Sequence, residues 1–405
     1  MTSGGVRRWV AAYTCSVSGD SVYFVTLSWA ASRELGPGAA GLVLAAGAVP
    51  RAVLMLGGGV IADRYGPRRV LIVSDLIRCL LVVAVAAIHG GHRWTLIPLA
   101  VGFGVVDALF MPAVGALPPL LAPPERLARV QGMRVLGVRV ANLCGPVLAG
   151  AALGTVGVSG SFGVAAVLFA ASLVLLLTLR IPRAAPTRNI SLLSEFREGL
   201  SYVRREPRLR RLVTVIALSE LCFSGPIAAA AVLLVAERHW NGATVGWILG
   251  AFSVGGAATG SVLAARADRF THGTAVMAGS LFLTAALLPL QGVVSRTGAV
   301  VVAALLGASS GVTMVLSNAR LQTEADPRLL GRVTAVTTLA TLGLSPLLFP
   351  LVGMASARWG TESFFVGCAA ACLTAALLAA GQLTPLAEAP RARGPEPARD
   401  SPRPR

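Results

Sequence analysis

The sequence contains no lysine, so every residue in its Lys+Arg total of 35 is an arginine. This absence excludes sites that need a lysine amine, such as the phosphate-binding loop of ATP-driven pumps and Schiff-base chemistry. Charged residues make up only 13% of the chain, 55% is hydrophobic, and the mean hydropathy is +0.73. Because so few charges cannot cover a soluble protein of 405 residues, we expect an integral membrane protein.

Cysteine and histidine are also scarce, with six and four residues. The cysteines lie in apolar segments without CxxC spacing, and the histidines lie in predicted loops without forming a ligand cluster. We therefore predict no metal, no other cofactor and no disulfide framework. The formal net charge is +17, but the arginines flank apolar segments and are not interleaved with aromatic residues, which predicts a membrane surface rather than nucleic acid as their partner.

Long apolar runs occupy most of the chain. A membrane-spanning helix needs roughly 20 apolar residues. The sequence predicts twelve such spans, at 9–31, 39–62, 70–89, 94–118, 127–153, 161–180, 211–236, 243–265, 274–292, 298–319, 332–356 and 362–382. Arginines concentrate in the loops after even-numbered spans and near the termini, so we expect an all-α, multi-pass protein of the cell membrane with both termini in the cytoplasm.

A weak internal duplication predicts two bundles of six spans. The segment from Gly41 to Asp63 has the same length as that from Gly246 to Asp268. Related halves of this kind place the substrate site between them, near the middle of the membrane. The predicted units are a first bundle, a cytoplasmic connection, a second bundle and a disordered tail, at 1–180, 181–210, 211–382 and 383–405.

The connection contains apolar residues at helical spacing among charged ones. This pattern predicts an amphipathic helix on the membrane surface. Its apolar positions are Leu192, Leu193, Phe196, Leu200 and Val203.

The bend after the second span, GGVIADRYGPRRV, resembles the signature between helices 2 and 3 of the major facilitator superfamily. The matching residues are Gly59, Asp63, Arg64, Gly66, Arg68 and Arg69. The stretches SGDSVYFVTLSW and GLVLAAGAVPRAVL upstream are similar to the macrolide-efflux and enterobactin-exporter-like branch of that superfamily. In the fifth span, Gly145, Pro146 and Gly150 resemble the antiporter signature of its drug exporters.

The resemblance implies the major facilitator fold and secondary active transport in a bacterial plasma membrane, without enzymatic activity. It also implies a monomer that exports drugs, antibiotics or siderophore-like compounds in exchange for protons. The chain departs from the family in two places. The second copy of the bend, at Asp268, lacks the following glycine and paired arginines, and the fourth span has no Arg-x-x-Gln-Gly element.

Seven charged residues lie inside the predicted first bundle, where each is costly unless it is paired or reached by water. At 1.5 Å per residue, Asp20, Arg51 and Arg139 fall near the middle of the membrane. A shallower layer contains Asp75, Arg78, Asp107 and Arg134. In the second bundle only Glu220 lies well inside a span, so we expect mostly apolar walls there.

Asp20 is the predicted proton-coupling residue, because a carboxyl group can gain and lose a proton whereas an arginine cannot. The predicted cycle alternates Asp20 between a proton and a partner, Arg139 or Arg51, while substrate competes for the same site. A static buried ion pair remains the alternative. Asp107 is predicted to form a structural pair with Arg134, and Glu220 either contacts substrate or joins helices.

Asp63 ends the second span, where the helix dipole disfavours an anion and a compensating partner is needed. We predict a latch between the bundles, for example with the helix that begins near Arg332. The alternatives are that the arginines only fix topology and that Gly59 and Gly66 only make turns. Pro146 either bends the fifth span for function or is a passive kink.

The leading functional hypothesis is proton-coupled export of amphipathic small molecules by alternating access. Its expected partners are the substrate, protons and lipid. The alternative is an importer of a small polar nutrient, which needs several polar groups at the centre of the membrane. A receptor or membrane enzyme is disfavoured, because the sequence has no visible nucleophile–base pair or sensing domain.

Overall fold

The computed structural model describes residues 3–88, 93–123, 126–179, 192–223, 225–265, 273–326 and 329–381. Within these ranges the chain is helical and contains no strand. The helices, with one 3-10 turn at Arg93–Thr95, are α1 (Ser3–Glu34), α2 (Pro37–Tyr65), α3 (Pro67–Ile88), α4 (Leu96–Ala116), α5 (Pro118–Leu121), α6 (Leu127–Thr155), α7 (Gly157–Leu177), α8 (Leu192–Arg205), α9 (Pro207–Phe223), α10 (Gly225–Glu237), α11 (Ala243–Ala265), α12 (Gly273–Val293), α13 (Arg296–Glu324), α14 (Leu330–Trp359) and α15 (Thr361–Ala380).

Eleven segments of the described chain are long and apolar enough to cross a membrane. One of them, Pro207–Glu237, contains α9 and α10 and corresponds to the predicted seventh span. α1 falls outside this set because Ser16, Ser18, Asp20 and Ser21 lower its hydropathy, but it is 32 residues long and packs against α6 and α7. With α1, the twelve predicted spans are present.

Two turns between helices are made by the same dipeptide, Gly-Pro. Gly36 lies between α1 and α2, Gly66 lies between α2 and α3, and both have a φ of +84°. Glycine adopts this left-handed conformation without steric strain. The proline that follows begins the next helix, where its missing N–H leaves no hydrogen bond unmade. Gly66 therefore has the turn-making role that the sequence left open.

The spans pack into two groups. In the first, α1 contacts α6 and α7, α2 contacts α4, and α3 contacts both α4 and α7. In the second, α11 and α12 contact α13, and α15 contacts α9 and α12. The predicted boundary at residues 180 and 181 and the predicted tail from 383 lie outside the described residues.

Glycines join the two groups near one side of the protein. We call the side where α1 begins the terminal side and the side where α1 ends the distal side. α2 meets α14 near the distal side, where a Cβ atom on Gly353 would lie 2.9 Å from the Gly41 Cα. α6 meets α11 in the same way, and a Cβ atom on Gly150 would lie 2.6 Å from the Gly246 Cα. Only glycine permits backbones to approach so closely.

α8 packs against the second group at the terminal side. Val203 and Leu200, on its apolar face, join a core cluster formed with residues of α9, α13 and α14. Arg332 of α14 donates a hydrogen bond to Glu198 at 2.5 Å, and the Tyr202 hydroxyl accepts one from the Asp326 backbone N–H at 3.3 Å. The C-terminal half of this helix therefore packs on the second group, and its position on the membrane surface stays a prediction.

Candidate functional site

Arg78, in the middle of α3, is the centre of a buried charge cluster in the first group of helices. Its side chain is 0% exposed and forms salt bridges with carboxylates of α1, α3 and α4. The nearest oxygen is Asp107 Oδ1 at 2.5 Å. Asp20 Oδ1 follows at 3.3 Å and Asp75 Oδ1 at 3.7 Å.

Aromatic rings surround the guanidinium. Its central carbon lies 4.0 Å from the ring centroid of Phe110, 5.3 Å from that of Phe103 and 5.9 Å from that of Phe169. A cation is attracted to the face of an aromatic ring. Because the rings also exclude water, the charges around Arg78 interact more strongly than they would in solvent.

Two of the carboxylates are held firmly. Asp75 is fully buried and accepts hydrogen bonds from the Ser16 hydroxyl at 2.9 Å and the Ser172 hydroxyl at 2.5 Å. These bonds tie α3 to α1 and α7. Asp107 is paired with Arg78 on one oxygen and with the Nε atom of Arg51, at 2.8 Å, on the other.

Asp20 is held less firmly than the other two. Its Oδ1 atom lies in salt-bridge range of Arg78 but makes no hydrogen bond with any residue of the described ranges. Its side chain is 28% exposed, so the carboxyl group is open to an adjoining space. Of the three acids, Asp20 is therefore the one best placed to exchange a proton.

The cluster is unbalanced in charge. It contains the carboxylates of Asp20, Asp75 and Asp107 and the guanidiniums of Arg51 and Arg78. When all five groups are ionised, three negative and two positive charges leave one net negative charge. One bound proton makes the cluster neutral.

Of the two predicted partners of Asp20, Arg139 lies outside the cluster, and Arg51 belongs to the cluster but is paired with Asp107. The sequence predicts Arg139 or Arg51, but the salt bridge of Asp20 is with Arg78. Counting residues along single helices puts Arg78 in a shallower layer than Asp20. The structure brings the two predicted layers to one level, because Ser16, one turn before Asp20, bonds to Asp75, one turn before Arg78.

The predicted pair of Asp107 with Arg134 is wrong. Asp107 is paired with Arg78 and Arg51. The Arg134 guanidinium instead lies 5.9 Å from the ring centroid of Tyr13 in α1. α6, which carries Arg134, packs against α1 and α7, whereas Asp107 on α4 faces α2 and α3.

Two further predicted site residues lie outside the cluster. Arg139 of α6 donates to the Met314 sulfur of α13 at 3.7 Å, a contact between the two groups of helices. Glu220 lies half-buried in α9. Within the described part of the chain its carboxylate forms no ion pair, and both predicted roles of Glu220 remain open.

The bend between α2 and α3 is described only in part. Arg68 donates to the Leu177 carbonyl at 2.9 Å, where a cation is favoured at the C-terminal end of α7. The Arg64 guanidinium lies 5.7 Å from the ring centroid of its neighbour Tyr65, and Arg69 is exposed. Both contacts stay within the first group of helices, and the topological role of these arginines stays a prediction.

The remaining residues of the bend do not establish the predicted latch. Gly59 and Asp63 lie in α2, but the side-chain surroundings of both positions are outside the described residues. Arg332, near the start of α14, is engaged by Glu198 of α8. A contact between Asp63 and the second group therefore stays a prediction.

The glycines of the fifth span have a clear structural role. A Cβ atom on Gly145 would lie 2.5 Å from the Ser21 Cβ of α1, and Gly150 meets Gly246 of α11. Pro146 lies inside the continuous helix α6, and its carbonyl faces Gly246. The signature thus lets α6 approach one helix in each group.

The sequence of the chain matches the profile of the Major Facilitator Superfamily over residues 9–342 and 229–405. The chain belongs to this superfamily. Superfamily members are membrane transporters and not enzymes, and the twelve-helix architecture described above agrees with that assignment.

Relatives of this superfamily chain include efflux proteins. It is 28% identical over 373 residues to "Multidrug efflux pump Tap" of Mycobacterium tuberculosis, and the alignment covers 87% of each chain. It is 23% identical over 301 residues to "Macrolide efflux protein A" of Enterococcus faecalis, covering 72% of this chain and 93% of that one.

Solved structures agree with the superfamily fold. The POT family transporter PepTSo aligns with a TM-score of 0.72 at 12% identity, covering 95% of this chain and 98% of its own. The nucleoside transporter NupG aligns with a TM-score of 0.72 at 10% identity, covering 93% of this chain and 99% of NupG. At these identities the likeness concerns the fold alone.

Sequence reasoning did not assign a site role to Arg78, Asp75, Ser16 or Ser172. A signal for the first two was present, because Asp75 and Arg78 are separated by one helical turn within an otherwise apolar span. The two serines gave no such signal, since a serine in a membrane helix commonly bonds to its own backbone.

Proposed function

We propose that this transporter exports amphipathic small molecules in exchange for protons and that Asp20 carries the exchanged proton. It would act in the cell membrane, with both termini in the cytoplasm. The names of its efflux relatives and the antiporter-like residues of α6 support the direction of transport. The observation that carries the proton-coupling proposal is the buried cluster with one net negative charge and one loosely held, partly exposed acid.

Protonation of Asp20 changes the balance around Arg78. When Asp20 is ionised, Arg78 is shared among three carboxylates. When Asp20 is neutral, its attraction for the guanidinium falls and Arg78 stays with Asp107 and Asp75. The other bonds of those two acids hold Arg78 in place. Loss of the attraction between Asp20 and Arg78 therefore shifts α1, which carries Asp20.

α1 is well placed to pass this change to the second group of helices. It packs against α10, whose first described residue is Gly225. There a Cβ atom on Gly225 would lie 3.9 Å from the Phe24 ring of α1 and 3.1 Å from the Phe349 ring of α14. A shift of α1 on proton binding therefore acts on the helices that close the distal side.

The test begins with growth inhibition of a pump-deficient host across a panel of hydrophobic antibiotics and siderophores, with and without this protein. A compound to which the protein confers resistance is then added to everted vesicles that hold an acid interior and a pH-sensitive dye. We expect the compound to raise the internal pH, because protons leave as substrate enters. Asp20→Asn removes the titrating group and should abolish this response.

Glu324→Gln is the matched control, because Glu324 is a partly exposed acid paired with Arg320 outside the cluster. This variant should keep the proton response. Retention of the full response in Asp20→Asn would contradict the assignment of Asp20. Greater accumulation of a compound in expressing cells, instead of resistance to it, would favour the importer.

A further inference from the structure

Arg139 is a membrane-embedded cation without a counter-ion in the described part of the chain. Its Nη2 atom contacts the thioether sulfur of Met314 at 3.7 Å, and such a sulfur is a weak acceptor. Arg78 and Arg51, by contrast, are paired with carboxylates. An arginine inside a membrane is costly unless water or a ligand reaches it, so an unpaired one marks a functional position.

The space beside Arg139 lies between the two groups of helices. Arg139 is on α6 and is partly exposed, and its contact Met314 is an exposed residue of α13. Nearby on the same seam, the Ser253 hydroxyl of α11 donates to the Asn142 carbonyl of α6 at 2.8 Å. The guanidinium therefore borders the interface at which alternating access takes place.

Arg51 presents a second guanidinium from α2, the other first-group helix with extensive contact to the second group. Its Nε atom is bound to Asp107, and its side chain is 41% exposed. Within the described residues its two terminal amino groups form no ion pair, so they remain available as donors. In the second group, Met314 of α13 and Val254 of α11, which follows Ser253, are apolar and exposed.

We propose that Arg139, assisted by Arg51, binds negatively charged oxygen atoms of the substrate. The substrate class is therefore an amphiphilic organic acid whose apolar body lies against Met314. A guanidinium matches the planar, paired oxygens of a carboxylate, sulfonate or phosphate, and a thioether adapts to varied apolar shapes. Because Asp20 is engaged by Arg78, substrate anion and exchanged proton bind at different groups.

This inference rests on the proposed export function, whose substrate class it names, but its test measures binding alone. Two fluorescent probes of the same skeleton serve as ligands: the anion 8-anilinonaphthalene-1-sulfonate and the neutral N-phenyl-1-naphthylamine. Each is titrated calorimetrically into purified full-length protein in lipid nanodiscs, with empty nanodiscs subtracted. No proton gradient is present, so the result is independent of coupling.

Arg139→Gln should weaken binding of the sulfonate at least tenfold, about 1.4 kcal/mol, and change binding of the neutral probe less than about twofold. Arg139→Leu, whose side chain suits the apolar Met314 wall, should give the same result if the glutamine variant does not fold. Arg134→Gln is the matched control, since it removes the same charge from the same helix, but the Arg134 guanidinium lies by the Tyr13 ring inside the first group; this variant should bind both probes normally.

Unchanged affinity for the sulfonate in a folded Arg139 variant would overturn the proposal. Equal weakening of both probes would also overturn it, because the arginine would then shape the cavity without recognising charge. Asp20→Asn should retain sulfonate binding while it loses the proton response in vesicles. This contrast separates a failure of the substrate assignment from a failure of the proposed coupling.

Discussion

Replacing Arg78 with glutamine removes the positive centre of the cluster. Asp20 and Asp75 are then left without a counter-ion, whereas Asp107 keeps Arg51 at 2.8 Å. Removing one partner of a buried ion pair destabilises a protein by about 3–5 kcal/mol. At roughly 2–4 °C per kcal/mol for a unit of 150–250 residues, the midpoint of thermal unfolding should fall by about 6–20 °C.

Thermal unfolding of purified protein, followed by tryptophan fluorescence, measures this loss, and Trp9 reports on the first group of helices because it is buried there. Adding Asp75→Asn to Arg78→Gln restores the original net charge, so the double variant should recover about 0.5–3 kcal/mol relative to the sum of the single changes. Arg320→Gln is the control, since its pair with Glu324 is partly exposed to solvent and should contribute about 1 kcal/mol or less. A loss below about 1 kcal/mol in Arg78→Gln, or strictly additive effects, would refute the reasoning.

Two further predictions concern packing. Gly150→Val should force α6 and α11 apart at Gly246. Transport should fall, and cysteines placed along the contact between α6 and α11 should become more reactive. Gly163→Val is the control, because no atom lies within 4 Å of the Cβ position of Gly163, and it should change neither transport nor cysteine reactivity. Thr284→Val removes a hydroxyl that contacts the Ser309 hydroxyl at 2.7 Å, and should cost about 0.6–1.7 kcal/mol in thermal unfolding; a variant as stable as the wild type would show that this buried contact contributes nothing.

The predicted pairings failed for a reason that the charge cluster makes clear. Depth in the membrane follows from position along one helix, because each residue rises by a fixed amount. Which charges meet also depends on how each helix is rotated and which helix lies beside it. Arg78 reaches Asp20 and Asp107 because α3 packs against α4 and α7, and neither neighbour was predictable from hydropathy.

The amphipathic connection shows the same limit. Its helical pattern was predicted correctly, since apolar spacing is a local property. The contact with the second group does not follow from that spacing, because a helix bundle and a membrane surface both attract an apolar face. The cluster containing Val203 and the bond from Arg332 to Glu198 show that protein covers the C-terminal half of α8.

The sequence by itself determined the number and order of the spans, the family and the concentration of charge in the first half. Membrane thickness and the exclusion of unpaired polar groups from lipid impose the spans on single segments of chain. Only the tertiary structure decided that Arg78 joins three acids, that Asp20 is the least firmly held of them, and that Arg139 faces Met314 instead of a carboxylate. These contacts depend on the relative rotation and spacing of helices far apart in sequence, which close packing fixes when the bundles assemble.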